Sequence, residues 1–296
     1  MSRLYRIIFF IFSHPFGKKH KLISFYYFVR WQLTQFFYPG ERVLTFVNNT
    51  KMAVNRGDTG VTGNIYVGLH DFNEISFALH LLNENDIFAD VGANVGFYSM
   101  IISNSTGAIS YAFEPIHSTF NKLEKNIKLN ELENKVISVN AAVGSVEGDL
   151  KMTNNLDTVN HVVVSDKASD HLTSIKVIKL DRFFSKINYP KLIKIDVEGY
   201  ESDVIAGMEN ILSSDTLCAI IIELNGSGGR YGYDEKIIHE KLLNHSFFPC
   251  KYDPFERTIK ELDSYGRTNT IYIRDIDFVK SRLTSAMSFK VFGEFI

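Results

Sequence analysis

The sequence predicts an α/β fold in which a mostly parallel sheet carries helices on both faces. Short apolar runs alternate with segments of helical period, and this alternation is typical of a parallel sheet. The runs that we interpret as parallel strands are residues 87–91, 109–113, 136–139, 192–195 and 219–222. Two further runs, at 247–252 and 268–273, are joined without a helical segment and predict an antiparallel pair at one edge. We therefore expect a seven-stranded sheet.

Composition indicates a soluble globular protein with one main domain. The chain has 296 residues, of which 45% are hydrophobic and 22% are charged, so it is long enough to bury a large core. Its net charge of −2 argues against general nucleic-acid binding. The two cysteines, Cys218 and Cys250, have no metal-ligand spacing and fit buried, reduced thiols in a cytoplasmic protein. These observations leave the oligomeric state open.

Residues 1–60 differ from the rest of the chain because they are both basic and rich in aromatic side chains. They hold nine Lys and Arg residues against Glu41 and Asp58. The apolar run at 7–12 is too short to span a bilayer, and no small-residue cleavage site follows it. Such a segment fits either an interfacial membrane helix or a helical cap with its basic face in solvent. We prefer the cap, because aromatic stripes are more often core than anchor.

The remaining elements follow from apolar period and from turn residues. A helix is predicted over 21–37, ended by Pro39 and Gly40, and one or two strands over 42–54, broken at Asn48 and Asn49. The other predictions are a turn-rich stretch at 58–63, helices over 74–82, 97–103, 118–129, 201–212 and 234–243, and an antiparallel excursion between 144 and 180 with β-like runs at 162–164 and 175–178. The predicted organisation is an extension at 1–60, a main domain at 61–280 and a loosely packed tail at 281–296.

A glycine-rich turn after the first parallel strand carries the first functional signal. Asp90 lies near the end of the strand, and the turn residues before the next helix are Gly92, Asn94 and Gly96. Glycines let the backbone approach a ligand, and a helix N-terminus offers free N–H groups. Glu114 lies 24 residues after Asp90, close to the spacing of a ribose-binding carboxylate. The pattern lacks the middle glycine of a dinucleotide site, which disfavours a nicotinamide oxidoreductase.

With this turn, three later motifs resemble the FkbM family of S-adenosylmethionine-dependent methyltransferases. They are Phe113-Glu-Pro115, Leu180-Asp181 and the most specific one, Lys194-Ile-Asp-Val-Glu-Gly-Tyr-Glu201. The segments 62–66, 157–161 and 223–228 look like elements of one branch of that family. The resemblance implies a Rossmann-like class I methyltransferase fold and methylation of a hydroxyl, foremost of a sugar or glycan. A polyketide or other small-molecule acceptor, and a non-catalytic binding module, are the alternatives.

The resemblance also implies which residues would contact the cofactor, S-adenosylmethionine. They are Asp90, Gly92, Ala93, Asn94, Gly96, Glu114, Asn140, Ala141 and Asp196. The turn would approach the methionine part, with Asp90 near its amino group, and Glu114 would accept hydrogen bonds from the ribose hydroxyls. Asn140 and Ala141, at the end of the third strand, are placed to border the adenine.

The acceptor side is expected at the same edge, because ligands of such sheets lie outside the carboxyl ends of the strands. A neutral alcohol reacts better when a base removes its proton, and the candidate bases are Asp196, Glu198, His70 and His161. Asp196 is the first choice by position. Glu223 and Asn225 are expected to face the acceptor, and the loop 226–232 is interpreted as an acceptor-side lid with contacts from Arg230 and Tyr231.

A magnesium ion is the alternative way to activate the acceptor. Asp196, Glu223 and Asn225 offer oxygen ligands on neighbouring strand ends, a set that could hold Mg²⁺ and polarise a hydroxyl. Glu198, in contrast, could simply accept hydrogen bonds from the backbone N–H groups of the helix start at 199–201. The sequence leaves this choice open.

Overall fold

A computed structural model describes residues 3–37, 40–55, 59–153 and 172–296. The helices are α1 (Arg3–Ser13), α2 (Pro15–Lys19), α3 (Lys21–Phe37), α4 (Thr59–Val67), α5 (Phe72–Leu81), α6 (Phe97–Thr106), α7 (His117–Leu129), α8 (Leu180–Phe183), α9 (Glu201–Ala206), α10 (Glu209–Leu212), α11 (Glu235–Asn244) and α12 (Ile276–Ser285). The strands are β1 (Arg42–Thr45), β2 (Lys51–Val54), β3 (Ile87–Val91), β4 (Ile109–Phe113), β5 (Val136–Val139), β6 (Ala142–Val143), β7 (Gly148–Thr153), β8 (Leu172–Ile178), β9 (Leu192–Ile195), β10 (Ala219–Glu223), β11 (Phe248–Asp253), β12 (Thr258–Glu261), β13 (Asn269–Ile273), β14 (Lys290–Val291) and β15 (Glu294–Phe295). Short 3-10 helices cover Val47–Asn49, Phe184–Lys186 and Ser227–Tyr231.

The central sheet confirms the predicted α/β fold and adds one strand to it. Its order is β12-β11-β13-β10-β9-β3-β4-β5. Strands β3, β4, β5, β9 and β10 are parallel, whereas β13 runs antiparallel to both β10 and β11. The expected seven strands are therefore present, but the sheet has eight, because β12 pairs antiparallel with β11 at the edge. The prediction missed β12, whose side chains are largely exposed and give no apolar run.

A smaller sheet confirms part of the predicted excursion between 144 and 180. Strand β8 pairs antiparallel with β7 and parallel with β6, and it contains the predicted run at 175–178. The run at 162–164 lies outside the described residues. The predicted helix over 201–212 is two helices, α9 and α10, because the chain is not helical at Gly207 and Met208.

The N-terminal helices pack one face on the main domain. In α3, which has the predicted bounds, the buried residues are Ser24, Phe28, Trp31 and Gln35. Ile11 and Phe16, of the first two helices, join the same core cluster as Phe88 and Leu192 of the central sheet. Of the one or two strands predicted over 42–54, two are present: β1 and β2 pair antiparallel, with left-handed backbone at Asn48 and Asn49 between them. No helix within the described ranges has both the length and the apolar character needed to cross a membrane.

Two predictions for irregular structure are wrong. The stretch at 58–63 was expected to be turn-rich, but from Thr59 it belongs to helix α4, which packs against α3. Tertiary packing here overrides the low helix propensity of Gly60 and Gly63. The tail at 281–296 is not loosely packed, because it contains the end of α12 and a hairpin formed by β14 and β15. Leu283, Phe289 and Val291 from this segment are buried in the main core.

A substitution in this tail measures its contribution to stability. We expect Phe289→Ala to lower the free energy of unfolding by about 3 kcal/mol, because it removes a buried ring that contacts His80. Phe295→Ala, at an exposed position of the same hairpin, should cost less than about 1 kcal/mol. Chemical denaturation of the two variants makes the comparison. Equal, small losses would contradict a packed tail.

Candidate active site

The turn between β3 and α6 brings two strand ends into backbone contact. Gly92 has a φ of +82°, and a Cβ at this position would collide with the backbone oxygen of Asp196. Asn94 is also left-handed, with a φ of 52°, a conformation that Asn tolerates better than most residues. A Cβ at Gly96 would collide with the side chain of Leu123. The glycines therefore allow the close approach of β3, β9 and α7 around the turn.

Glu114 holds this turn through its carboxylate. One oxygen accepts a hydrogen bond from Asn94 N at 3.0 Å, and the other accepts one from Ile116 N at 2.9 Å. Burial raises the pKa of Glu114 to about 7, even though both backbone hydrogen bonds favour the ionised form. Each carboxylate oxygen keeps a second lone pair for another donor. The predicted ribose-binding residue is thus fixed in position and still able to accept hydrogen bonds.

A cavity opens beside Glu114, and we call it the Glu114 cavity. The predicted cofactor residues that line it are Gly92, Asn94, Glu114, Ala141 and Asp196. Asn140 is not among its lining residues, because its side chain donates hydrogen bonds to the backbone oxygens of Glu114 and Pro115. Asn140 therefore supports the segment that carries Glu114.

A buried lysine forms the centre of the neighbouring charge cluster. Lys194 Nζ donates a hydrogen bond to Asp196 Oδ2 at 3.0 Å and lies 4.0 Å from Asp90 Oδ1. Burial alone would lower the pKa of Lys194, but the two carboxylates raise it. Burial raises the pKa of Asp90, against the effects of Lys194 and of Ser99, whose hydroxyl donates to Asp90 Oδ2. Asp90 Oδ1 has no hydrogen-bond partner among the described residues.

A second cavity, which we call the His70 cavity, opens on the other side of the Gly92 turn. It is lined by His70, Asp71, Ala93, Tyr98, Lys194, Glu223 and Asn269, among others. Four residues line both cavities, and these are Gly92, Asn94, Asp196 and Glu198. The two cavities therefore meet at the carboxyl ends of β3 and β9, where the sequence predicted the reacting centre.

His70 and Asp71 form a hydrogen-bonded pair in the wall of the His70 cavity. His70 Nδ1 lies 3.2 Å from Asp71 Oδ1, and the hydroxyl of Tyr98 donates to Asp71 Oδ2 at 3.1 Å. The hydrogen bond to Asp71 raises the pKa of His70, and this effect outweighs the opposing effect of partial desolvation. Burial would raise the pKa of Asp71, but His70 and Lys194 hold it below its usual value. With Nδ1 engaged by Asp71, Nε2 is the ring nitrogen that can accept a proton.

Three acidic side chains gather where the cavities meet. Oxygen atoms of Asp196, Glu198 and Glu223 all lie within 4.8 Å of one another, close enough to hold a metal ion. Burial and the charge of Asp196 raise the pKa of Glu198, and burial with the other two carboxylates raises the pKa of Glu223 to about 8. The predicted third ligand, Asn225, instead uses its side-chain oxygen to accept a hydrogen bond from Ser227 N.

The turn after β9 differs from its predicted hydrogen bonding. Glu201, rather than Glu198, accepts hydrogen bonds from Gly199 N and Val197 N. Glu198 is left to line the cavities, with a left-handed φ of 55°. Arg230 donates to the backbone oxygen of Glu198 at 3.1 Å, and the ring of Tyr231 contacts that of Tyr200. These two predicted acceptor contacts thus pack on the turn and are not among the lining residues of either cavity.

Other site residues were missed or cannot be placed. His161 lies outside the described residues, as does the motif at 157–161. No site role was predicted for Asp71, Tyr98 or Lys194, although Lys194 stood in a quoted motif. The sequence did contain a signal for Lys194, because it interrupts the otherwise apolar run of β9. A lysine in a fully buried strand has to be paired with a carboxylate.

Removal of the lysine charge tests this cluster. We expect Lys194→Met to lower the free energy of unfolding by about 3 kcal/mol near neutral pH, because Asp90 loses its buried counter-ion. This loss of unfolding free energy should become smaller at lower pH. The folded variant then takes up protons on buried carboxyls that are still ionised in the unfolded chain, and this proton uptake stabilises the folded state. Unfolding at several pH values measures this. Lys176→Met, at an exposed position of β8, is the control and should have little effect at any pH.

Two relatives and one solved structure are similar to this chain over part of its length. The chain is 31% identical over 176 residues to the hexuronic acid methyltransferase AglP of Haloferax volcanii, which covers 58% of this chain and 67% of that protein. It is 23% identical over 181 residues to Methyltransferase 1 of Beauveria bassiana, covering 53% of this chain and 72% of that protein. The crystal structure of a methyltransferase FkbM from Methylobacillus flagellatus KT aligns with a TM-score of 0.43 and 15% identity. That alignment covers 65% of this chain but less than half of the other, 44%.

The family model that matches is more extensive than any single motif. It is the methyltransferase FkbM domain, and it matches residues 90–266, from the carboxylate of β3 to the loop before β13. This range is more than half of the chain, and it contains the Gly92 turn, Glu114, Lys194 and the acidic cluster. The chain therefore belongs to the FkbM methyltransferase family.

Proposed function

We propose that this methyltransferase transfers the methyl group of S-adenosylmethionine to a hydroxyl of a sugar. The observation that carries the proposal is the meeting of two cavities at Gly92, Asn94, Asp196 and Glu198. Methyl transfer requires a donor and an acceptor aligned on either side of one point, and alignment is a large part of what the protein contributes. The Glu114 cavity is assigned to the cofactor and the His70 cavity to the acceptor.

The chemistry of the Glu114 cavity fits S-adenosylmethionine. Free lone pairs of the Glu114 carboxylate can accept from vicinal ribose hydroxyls, and the apolar side chains of Ile116 and Ala141 provide a surface for a flat base. Where the two cavities meet, the carboxylate of Asp196, which lines both, and the unpaired oxygen of Asp90, which lines the His70 cavity, suit a cationic amino group. When bound, the cofactor supplies an activated methyl group on its sulfonium.

The His70 cavity suits an acceptor that is rich in hydroxyl groups. Its carboxylates and the amides of Asn64 and Asn269 can accept hydrogen bonds from sugar hydroxyls. Burial raises the pKa of Glu223 to about 8, so near neutral pH its carboxyl is largely protonated and can donate a hydrogen bond. The relative AglP is named for a hexuronic acid. Hexuronic acid glycosides are therefore the first acceptors to test, with the matching neutral hexose as comparison.

We assign the base to His70. Asp196, the first choice from the sequence, is already engaged in an ion pair, with its Oδ2 3.0 Å from Lys194 Nζ. His70 lines the acceptor cavity, and Asp71 holds its ring and stabilises the imidazolium that forms when Nε2 takes the hydroxyl proton. Asp196 and Glu198 then position the acceptor. A divalent ion on the acidic cluster is the alternative, so activity is to be measured with added Mg²⁺ and with a chelator.

A turnover assay tests the proposed reaction. Purified protein with S-adenosylmethionine and a hexuronic acid glycoside should yield S-adenosylhomocysteine and a product with one additional methyl group on oxygen. We expect His70→Asn to lower kcat by about 100-fold or more, with cofactor affinity unchanged.

The rate of the unsubstituted protein should rise with pH above 6.5, because the pKa of His70 is raised from 6.5 and the base must be neutral. This rise should be absent in His70→Asn, and His245→Asn, at a residue that lines neither cavity, serves as control.

Two outcomes would contradict parts of this proposal. If cofactor binding is intact but no sugar is methylated, the sugar acceptor is wrong. If His70→Asn keeps the rate and the pH profile of the unsubstituted protein, His70 is not the base.

Cofactor affinity should depend on pH through Glu114. The pKa of this carboxyl is about 7, and its ionised form is the better acceptor for two ribose hydroxyls. We expect the Kd for S-adenosylhomocysteine to fall by roughly tenfold from about pH 6 to about pH 8, as the ionised fraction rises. Calorimetric titration measures this, with NADH as a ligand that should not bind. Glu114→Gln should bind more weakly, and a pH dependence that persists in this variant would rule out Glu114 as its source.

A further inference from the structure

The outward faces of α1 and α3 are apolar although nothing in the described chain covers them. On α3, Leu22, Tyr26, Leu33 and Phe37 lie on the side opposite the buried residues. Leu22 is 86% exposed and Leu33 is 54% exposed. The outward residues of α1 are Tyr5, Phe9 and Phe12, spaced i, i+4 and i+7. Scattered exposed apolar residues are normal, but two packed helices with continuous apolar outer faces indicate a binding surface.

Charge identifies what this surface fits. Residues 1–37 contain six Lys and Arg residues and no Asp or Glu, within a chain whose net charge is −2. Arg6, Lys18, Lys21 and Arg30 are exposed. On α3, Arg30 lies next to the apolar stripe at 100° per residue, and Lys21 lies at the exposed start of the helix. An apolar stripe bordered by basic residues is the pattern of a helix that lies in a lipid–water interface.

We propose that the outer faces of α1 and α3 bind an anionic lipid surface. Aromatic and aliphatic side chains enter the boundary between headgroups and acyl chains, and Lys and Arg attract anionic headgroups. A second copy of the chain is a poorer occupant, because it would bring two positively charged faces together. The cap interpretation and the membrane interpretation of the sequence thus describe opposite faces of the same helices.

Helix α1 and the residue that follows it contact His70, which lines the His70 cavity. The ring of Phe10, on α1, stacks on His70 with centroids 5.0 Å apart, and His14 Nε2 lies 3.0 Å from the backbone oxygen of His70. Lipid binding through α1 therefore brings the His70 cavity next to the lipid surface. This inference about the acceptor rests on the proposed function, in which the His70 cavity binds the acceptor. A His70 cavity next to the lipid surface favours a sugar acceptor that is attached to that surface.

Vesicle sedimentation with the full chain tests the proposal. We expect binding to vesicles of phosphatidylcholine and phosphatidylglycerol at about 0.05 M salt, and loss of binding at about 0.5 M as the charges are screened. The variant Lys18→Gln/Lys21→Gln/Arg30→Gln should bind on the order of 100-fold more weakly. The variant Leu22→Ser/Leu33→Ser/Phe37→Ser should bind at least about tenfold more weakly.

Matched variants elsewhere on the surface are the controls. They are Lys128→Gln/Lys176→Gln/Lys236→Gln for charge and Val146→Ser/Ile237→Ser/Phe248→Ser for apolar exposure. Circular dichroism verifies the fold of each.

The proposal is overturned if the unsubstituted protein does not bind anionic vesicles at low salt, or if the controls lose binding equally. A lipid-free dimer that the apolar variant dissociates would also overturn it. Turnover on a water-soluble acceptor, which the surface variants should retain, separates failure here from failure of the proposed methyl transfer.

Discussion

Lys194 places a positive charge inside the central sheet, and the site is arranged around that charge. Asp90 lies directly opposite Lys194 in the parallel register of β3 and β9, and Asp196 comes directly after β9, two residues beyond Lys194. A buried ammonium without such partners would be too costly to keep ionised. The pairing holds the ends of β3 and β9 together, and Gly92 permits the backbone contact that results. Because both cavities open at these strand ends, the ion cluster sets where the two cavities meet.

The carboxylates around this cluster have different tasks because they have different hydrogen-bond partners. Glu201 satisfies the backbone N–H groups of the turn after β9, which leaves the carboxylate of Glu198 to the cavities. Glu198 keeps a left-handed backbone there, and such strain persists where the surrounding structure imposes it, often at functional sites. Burial and the nearby carboxylates of Asp196 and Glu198 raise the pKa of Glu223 to about 8, which favours its protonated form near neutral pH. One small region therefore supplies both hydrogen-bond acceptors and a donor.

The parts of the fold and site that could be predicted are those encoded by local patterns. Parallel strands appear as apolar runs, and Glu114 could be located because it follows one of them at a fixed distance from the glycine turn. Asp71 and Tyr98 reach the site through the packing of α5 against α6, for which the sequence has no local signal. Helix α4 forms despite two glycines, and a Cβ at Gly63 would collide with the ring of His70. That glycine serves the site rather than a turn, which only the three-dimensional arrangement reveals.

The N-terminal helices show why a count of aromatic residues could not separate core from surface. A helix at the edge of a globular domain needs one apolar face, and α3 satisfies this need with Phe28 and Trp31. Its opposite face is also apolar, which packing on the domain does not explain. The inward side of α1 also carries Phe10, and His14 follows directly after this helix; both contact His70. A boundary drawn at residue 60 would thus separate His70 from the side chains that pack against it, so residues 1–60 support the His70 cavity from outside its lining.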